Sequence, residues 1–197
     1  MIWLPDSYLN LLIEEDLYLI DLTSTSLELN KYSGQLLAQA KKETMVAGVE
    51  AAARMFELAG VKAQILVHSG KIAKAGETLL KLEGRADRLH AVYKAAQNLM
   101  EYSSSIAQRC HKMLTKARLG NPKVELAVTR KHFPGTKRLS LSAALAGGAT
   151  VHRQGLSDSV LVFDQHREFL GGFEEFLKFI PLLKERNLEK KIAVEIS

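Results

Sequence analysis

Between Arg85 and Leu119 the chain runs for 35 residues without a glycine or a proline. Apolar side chains recur along this run at Leu89, Val92, Ala96, Leu99, Ile106, Cys110 and Leu114, a spacing that keeps them on one helical face. One long helix or two consecutive helices are therefore expected, ended by Gly120-Asn121-Pro122. A bridge of this length organises everything around it. Residues 1–119 are expected to form an amino-terminal α+β domain that includes the bridge, and residues 120–197 a second domain with a different rhythm.

Ahead of the bridge, Leu9, Leu12, Ile13 and Leu17 predict a helix over Ser7–Tyr18, with Asp6 or Ser7 as its N-cap. Gly34–Lys42 reads as a strand. The Ala-rich stretch Val49–Leu58 reads as a helix stopped by Gly60, and Val61–Gly70 as a strand ending in a turn. Gly70, Gly76 and Gly84 flank short alternating runs, which suggests a small antiparallel unit. Beyond the bridge a strand is expected at Val124–Val128, a helix around Leu139–Leu145, a strand at Val160–Phe163, a helix around Phe173–Arg186 and a strand at Ile192–Ile196. Strands alternating with helices mark parallel βα units, too few here to close a barrel. The fold class is thus α/β with an α+β amino-terminal part.

The composition, 47% hydrophobic over 197 residues, supplies enough apolar surface for a sizeable core. No window approaches the roughly 20 apolar residues that span a bilayer, and the acidic start lacks the pattern of a leader, so a cytoplasmic protein with no membrane partner is expected. The lone Cys110 falls in the helical pattern and reads as a small buried side chain. The formal charge of +5 is local: residues 1–95 carry 11 basic and 12 acidic side chains, residues 96–197 carry 16 and 10. Lys123, Arg130, Lys131, Lys137, Arg138 and Arg153 concentrate the excess, against Glu125 alone, between Gly120 and Arg153. Aromatic residues for base stacking are not interleaved there, so a compact anion fits this cluster and nucleic acid does not.

In parallel βα architectures ligands bind at the carboxyl ends of strands. The residues that follow the expected strands form a consistent set: Thr129, Arg130, Lys131 and His132; then His152 and Arg153 beyond the Gly147-Gly148-Ala149 stretch; then Asp164, Gln165 and His166; and finally Glu195. Arginine offers a planar fork to phosphate or carboxylate, lysine a point charge, and Asp164 with Glu195 suits a hard cation such as Mg²⁺ held between phosphates. A Thr-Arg-Lys cluster on a loop is most often solvated surface, and the three histidines also read as ordinary loop residues. The glycine pair either breaks a helix or brings backbone amides to a phosphate. Neither a His-Glu-x-x-His zinc pattern nor a Walker phosphate loop is present. The residues alone reach as far as a βα protein for a multiply charged anion.

The stretch "TRKHFPGTK" followed by "ALAGGATVHRQGLSDSVLVFDQH" resembles the type II phosphoribosyltransferases related to quinolinate phosphoribosyltransferase, whose pattern runs TRKT and PG, then GGG, HR, GL, LIK and NH in the same order and spacing. "EEDLYLIDLTS", "MVAGVEAAARMFE" and "AAQNLMEYSSSIA" extend the similarity over nearly the whole chain. Within the family, "KAAQNLMEY", "FPGTK" and "HRQGLSDSVLVF" are most similar to a pyrophosphorylase branch associated with molybdenum transport genes. The resemblance implies an open-faced α/β sandwich followed by an incomplete or truncated α/β barrel, a homodimer, and Mg²⁺-dependent displacement of pyrophosphate from phosphoribosyl pyrophosphate by a small nitrogenous acid. By the same resemblance Thr129, Arg130, Lys131, His152, Arg153 and His166 bind substrate, Lys131 and Glu195 are catalytic, and Glu195 helps hold Mg²⁺. Lys94 stands where the family has an arginine given to the partner's site, and a point charge holds a carboxylate differently from a fork. Phe163 and Gln165 replace the family's lysine and asparagine, which removes a cationic contact to a dicarboxylate and points away from quinolinate. The family continues past the strand ending in Glu195 with further βα units. Two other expectations are quinolinate phosphoribosyltransferase proper and a non-catalytic anion-binding protein linked to molybdate.

Overall fold

The breaker-free run folds as one helix. In the computed structural model, which describes residues 2–196, helix α4 spans Ala86–Gly120 without interruption, roughly 50 Å at 1.5 Å per residue. Its buried stripe is Leu89, Val92, Ala96, Leu99, Ser103, Ala107, Cys110 and Leu114, in steps of three or four. Ile106 stands half-buried beside that stripe, and Ser103 and Ala107 carry it where α4 meets other backbone closely.

The described chain divides into two units, residues 2–151 and residues 152–196. In the first, helix α1 (Asp6–Leu17), a short helix α2 (Leu22–Ser26) and a 3₁₀ turn (Leu29–Lys31) precede strand β1 (Ser33–Gln39). Strand β2 (Thr44–Met45), helix α3 (Val49–Leu58), strands β3 (Lys62–Ile65), β4 (Ile72–Ala73) and β5 (Thr78–Arg85) follow, before α4. Strand β5 is central and antiparallel to both neighbours, in the order β1-β5-β3. The registers stack Leu82 between Leu36 and Ala63, and Leu80 between Ala38 and Ile65, so period-two alternation lines these side chains on one face. Helices α3 and α4 pack on that sheet. Phe56, Met55, Leu80, Leu82, Val92 and Val49 are fully buried there, each stabilising the fold by about 1.5–3 kcal/mol relative to exposure.

Three expectations need adjustment. Helix α1 starts on Pro5, whose side chain caps nothing, instead of on an Asp6 or Ser7 cap; proline's fixed φ of about −65° suits that entry. The stretch between Gly70 and Gly84 does contain antiparallel strands, but β4 pairs with β2 and β5 with β1 and β3. The glycine pair narrows to its helix-break reading: Gly147 is the C-cap of α5, and the pair leads into a strand instead of a helix whose amides could meet a phosphate. Strand β6 (Ala127–Val128), helix α5 (Lys137–Ala146) and strand β7 (Thr150–Val151) close this unit, with β6 parallel to β7 and α5 packed on α4. Gly147 lies against α4: a Cβ added there would sit 2.3 Å from the Ala107 carbonyl oxygen. The pair thus serves helix packing.

The second unit contains β8 (Val160–Val162), a short helix α6 (Asp164–Phe169), helix α7 (Phe173–Arg186) and β9 (Ile192–Val194). Strands β8 and β9 are parallel, with Val160, Leu161 and Val162 opposite Ile192, Ala193 and Val194. The chain is mixed α/β, and among the described residues no closed barrel forms. No helix among them is long and apolar enough to cross a membrane.

Candidate functional site

In the first unit, pairing of Val128 with Val151 fixes the end of β6, and the chain enters the basic loop at Thr129. Phe133 to Thr136 form a tight turn, in which the Thr136 N–H donates to the Phe133 carbonyl (3.1 Å). Pro134 presets the first central residue and Gly135, at φ +83°, supplies the positive φ of the second. The Thr136 hydroxyl donates to the same carbonyl (2.7 Å) and meets the Ser140 hydroxyl (3.0 Å), tying the turn to the first residues of α5. His132 Nδ1 lies 3.2 Å from the Phe133 carbonyl. The loop is therefore built rather than trailing. Arg130 is half-buried, Thr129 and Lys131 are exposed, and among the described residues neither cation pairs with a carboxylate.

Lys94 projects from α4, exposed, with its amine 2.9 Å from Gln97 Oε1 and 5.2 Å from the centre of the Tyr93 ring. Its contacts stay on its own helix. Cys110 is buried, and burial pushes its thiol up, as a packing residue requires.

The second unit opens with His152, exposed, and Arg153, which is only 6% exposed. Arg153 Nη1 donates to the Ser159 carbonyl (3.2 Å), while the loop is pinned by the Gln154 N–H on Asp158 (2.9 Å). No carboxylate among the described residues pairs with Arg153. A buried guanidinium without a counter-charge is expensive, and an anionic ligand would relieve it.

After β8, Phe163 stacks on His166, with centroids 5.6 Å apart and planes at 19°. The Phe163 N–H donates to His166 Nδ1 (3.0 Å), so that nitrogen is an acceptor and the ring proton sits on Nε2. Phe163 is thereby engaged with a neighbour of its own chain. Asp164 is also committed: its carboxylate pairs with Arg167, a residue the sequence reading did not single out. Arg167 is 8% exposed, donates to the Glu195 carbonyl (2.5 Å) and lies 5.3 Å from the Phe173 ring centre. It ties the exit of β8 to the exit of β9, where the Glu195 N–H reaches the Val162 carbonyl (2.8 Å). Its signal was an acid three residues earlier, the i,i+3 spacing of a helical pair. The Glu195 side chain is left exposed.

Among the described residues no three His, Cys, Asp or Glu side chains gather as a metal cage. Mg²⁺ does not demand one, since it commonly binds through one or two carboxylates and the phosphates of its substrate. Glu195, in no ion pair among the described residues, fits that donor set; Asp164, tied to Arg167, fits it less well.

These features describe a βα protein with cations at its strand exits. Two family descriptions match the chain, "Quinolinate phosphoribosyl transferase, N-terminal domain" over residues 21–104 and "Quinolinate phosphoribosyl transferase, C-terminal domain" over residues 106–197. Two relatives share the name "Putative pyrophosphorylase ModD". That of Rhodobacter capsulatus is 43% identical over 197 residues, covering 100% of this chain and 76% of its own. That of Pasteurella multocida (strain Pm70) is 35% identical over 195 residues, covering 99% and 69%. In fold, the crystal structure of nicotinate-nucleotide pyrophosphorylase from Ehrlichia chaffeensis superposes with a TM-score of 0.88 at 24% identity, covering 100% of this chain and 71% of that one. The chain belongs to the quinolinate phosphoribosyl transferase family, a family of phosphoribosyltransferases, which are glycosyltransferases.

Proposed function

We propose that the protein transfers the phosphoribosyl group of phosphoribosyl pyrophosphate to a small nitrogenous acid and releases pyrophosphate, as a cytoplasmic homodimer of the branch associated with molybdenum transport. The observation that carries this reading is Arg153, buried beyond β7 with one backbone acceptor and, among the described residues, no carboxylate partner. In the reaction a ring nitrogen donates its lone pair to the ribose anomeric carbon, and the bond from that carbon to the pyrophosphate oxygen breaks with its electron pair. The protein's contribution is to hold two anions at bonding distance and to offset charge on the leaving group.

Arg130, Lys131 and Arg153 act as the phosphate and carboxylate contacts, Thr129, His152 and His166 as hydrogen-bonding partners, and Lys131 meets the charge that develops on pyrophosphate. Glu195 holds Mg²⁺ together with the phosphates; when bound, the ion neutralises charge on the leaving pyrophosphate. Lys94, exposed on α4, is available to a partner subunit's site. Phe163, an apolar ring where the family carries lysine, leaves one carboxylate of a dicarboxylate without a cation, which supports an acceptor other than quinolinate.

Calorimetric titration with phosphoribosyl pyrophosphate and Mg²⁺ tests the reading. Saturable binding that is lost in Arg153→Met and weakened in Arg130→Ala is expected. No binding by the folded dimer would overturn it, binding of molybdate without Mg²⁺ dependence would favour a non-catalytic oxyanion protein, and formation of nicotinate mononucleotide from quinolinate would restore that substrate.

A further inference from the structure

The first unit contains a cavity of about 360 Å³ that takes no residue from the basic loop. Its walls come from the amino-terminal segment, α3, α4 and α5, and are largely apolar, with Trp3, Leu9, Leu139 and Leu145 among them. Glu50, Arg54, Ser69, Ser103 and Ser142 interrupt these walls with polar groups. Ser103, at 1% exposure, presents a hydroxyl that has no hydrogen-bond partner among the described residues, an arrangement native interiors rarely leave unexplained. Glu50, in the first turn of α3, presents a carboxylate.

That carboxylate is anchored and charged. Glu50 Oε1 accepts from the Ser69 N–H (3.0 Å) and faces His68 Nδ1 (3.2 Å), and Oε2 accepts from the Ser69 hydroxyl. Burial pushes the carboxyl up, but the Ser69 and His68 hydrogen bonds outweigh it and hold the group below its ordinary range. The Glu50 backbone N–H also donates to this carboxylate, and among the described residues no lysine or arginine pairs with it. The lining also includes Arg54, whose charge is already answered: Nε and Nη2 reach Asp6 (3.0 and 2.7 Å), and Nη1 reaches Glu57 (3.0 Å). The charge left without a full partner is negative.

We infer that this cavity binds a small organic cation, a primary amine on a compact aromatic or branched aliphatic body, with the amine directed to Glu50 and the body on the apolar walls. A ligand of that sign is opposite to the anions proposed for the strand exits, so the inference stands apart from the transferase reading. Trp3, the only tryptophan, lines the cavity while 75% exposed, and reports on its occupancy by fluorescence.

The test is a titration of the whole chain with benzylamine, followed by Trp3 emission, with benzoate as the charge-reversed probe. Saturable binding of benzylamine, at least about tenfold tighter than benzoate, is expected, weakened roughly tenfold in Glu50→Gln and less in Ser103→Ala. Ser142→Leu, which places bulk in the cavity from a half-buried position on α5, abolishes the response while circular dichroism shows the fold retained. Arg130→Ala leaves it unchanged. Equal binding of benzoate, no saturation, full binding in folded Ser142→Leu, or loss in Arg130→Ala would each overturn the inference.

Discussion

Replacing Gly147 by alanine tests how α5, and with it the basic loop, is held. The added Cβ would lie 2.3 Å from the Ala107 carbonyl oxygen, 2.9 Å from Ala107 Cα and 2.8 Å from Cys110 Cβ, whereas ordinary contacts begin at 3.4 Å. Two of these three atoms are helix backbone, so no rotamer change relieves the clash, and α5 must retreat from α4 by about 1 Å. The backbone at Gly147 (φ −77°, ψ 1°) is open to alanine, so conformational strain adds nothing. Overpacking against backbone on this scale costs roughly 2–4 kcal/mol, somewhat above the usual range for side-chain crowding, and lowers the melting temperature by about 4–16 °C for a chain of this size. Because the Pro134–Gly135 turn is tied to Ser140 of α5, the retreat also displaces Arg130, and affinity for phosphoribosyl pyrophosphate should fall. Urea unfolding followed by far-ultraviolet circular dichroism and by Trp3 emission measures the first effect, and calorimetry the second. Gly120→Ala is the control: nothing lies within 4 Å of a Cβ there, and the change should be neutral or slightly stabilising. A Gly147→Ala variant within about 0.5 kcal/mol of the parent would refute the packing argument.

Arg167→Ala should destabilise by about 2 kcal/mol, less than a fully buried pair because Asp164 is half-exposed, and should loosen the exits of β8 and β9 in hydrogen exchange; Asp164→Asn should cost less than half as much. Protection of the Glu195 amide equal to that of the parent would count against the tie. Glu50 is held below its free value of 4.5, so its stabilisation is complete above about pH 4.5 and fades as the pH falls through the lower folded value. The stability difference between the parent and Glu50→Gln should therefore be flat from about pH 6 to 8 and shrink in acid; a difference that grows on acidification would reverse the sign. Cys110, buried and with its thiol pushed up, should resist iodoacetamide in the native state at about pH 8 and react once the chain is unfolded in urea. Rapid native labelling would show that α4 opens locally.

Where chain order alone decides a feature, reading the residues was enough. Helix α4 follows from a breaker-free run with a three-and-four stripe, and α3 from an alanine-rich stretch stopped at Gly60, because both depend on contacts within a few residues. The antiparallel registers that place Leu82 between Leu36 and Ala63 join segments far apart, and no local period distinguishes that pairing from a β4–β5 hairpin. Strand β7 is two residues long, below the length at which alternation has meaning. The glycine pair shows the limit most plainly: glycine announces that something comes close, but whether that something is a phosphate or the Ala107 carbonyl is a property of the packed helices. The same division runs through the candidate site. That Arg130, Lys131, His152, Arg153, His166 and Glu195 follow strands can be read in order along the chain. That Arg153 is buried without an ion pair among the described residues, while Asp164 is spent on Arg167, depends on which neighbours the fold supplies. Chemical candidates are legible from residue type and position, whereas the competition that decides which of them stays free for a ligand is settled only by partners brought in through packing.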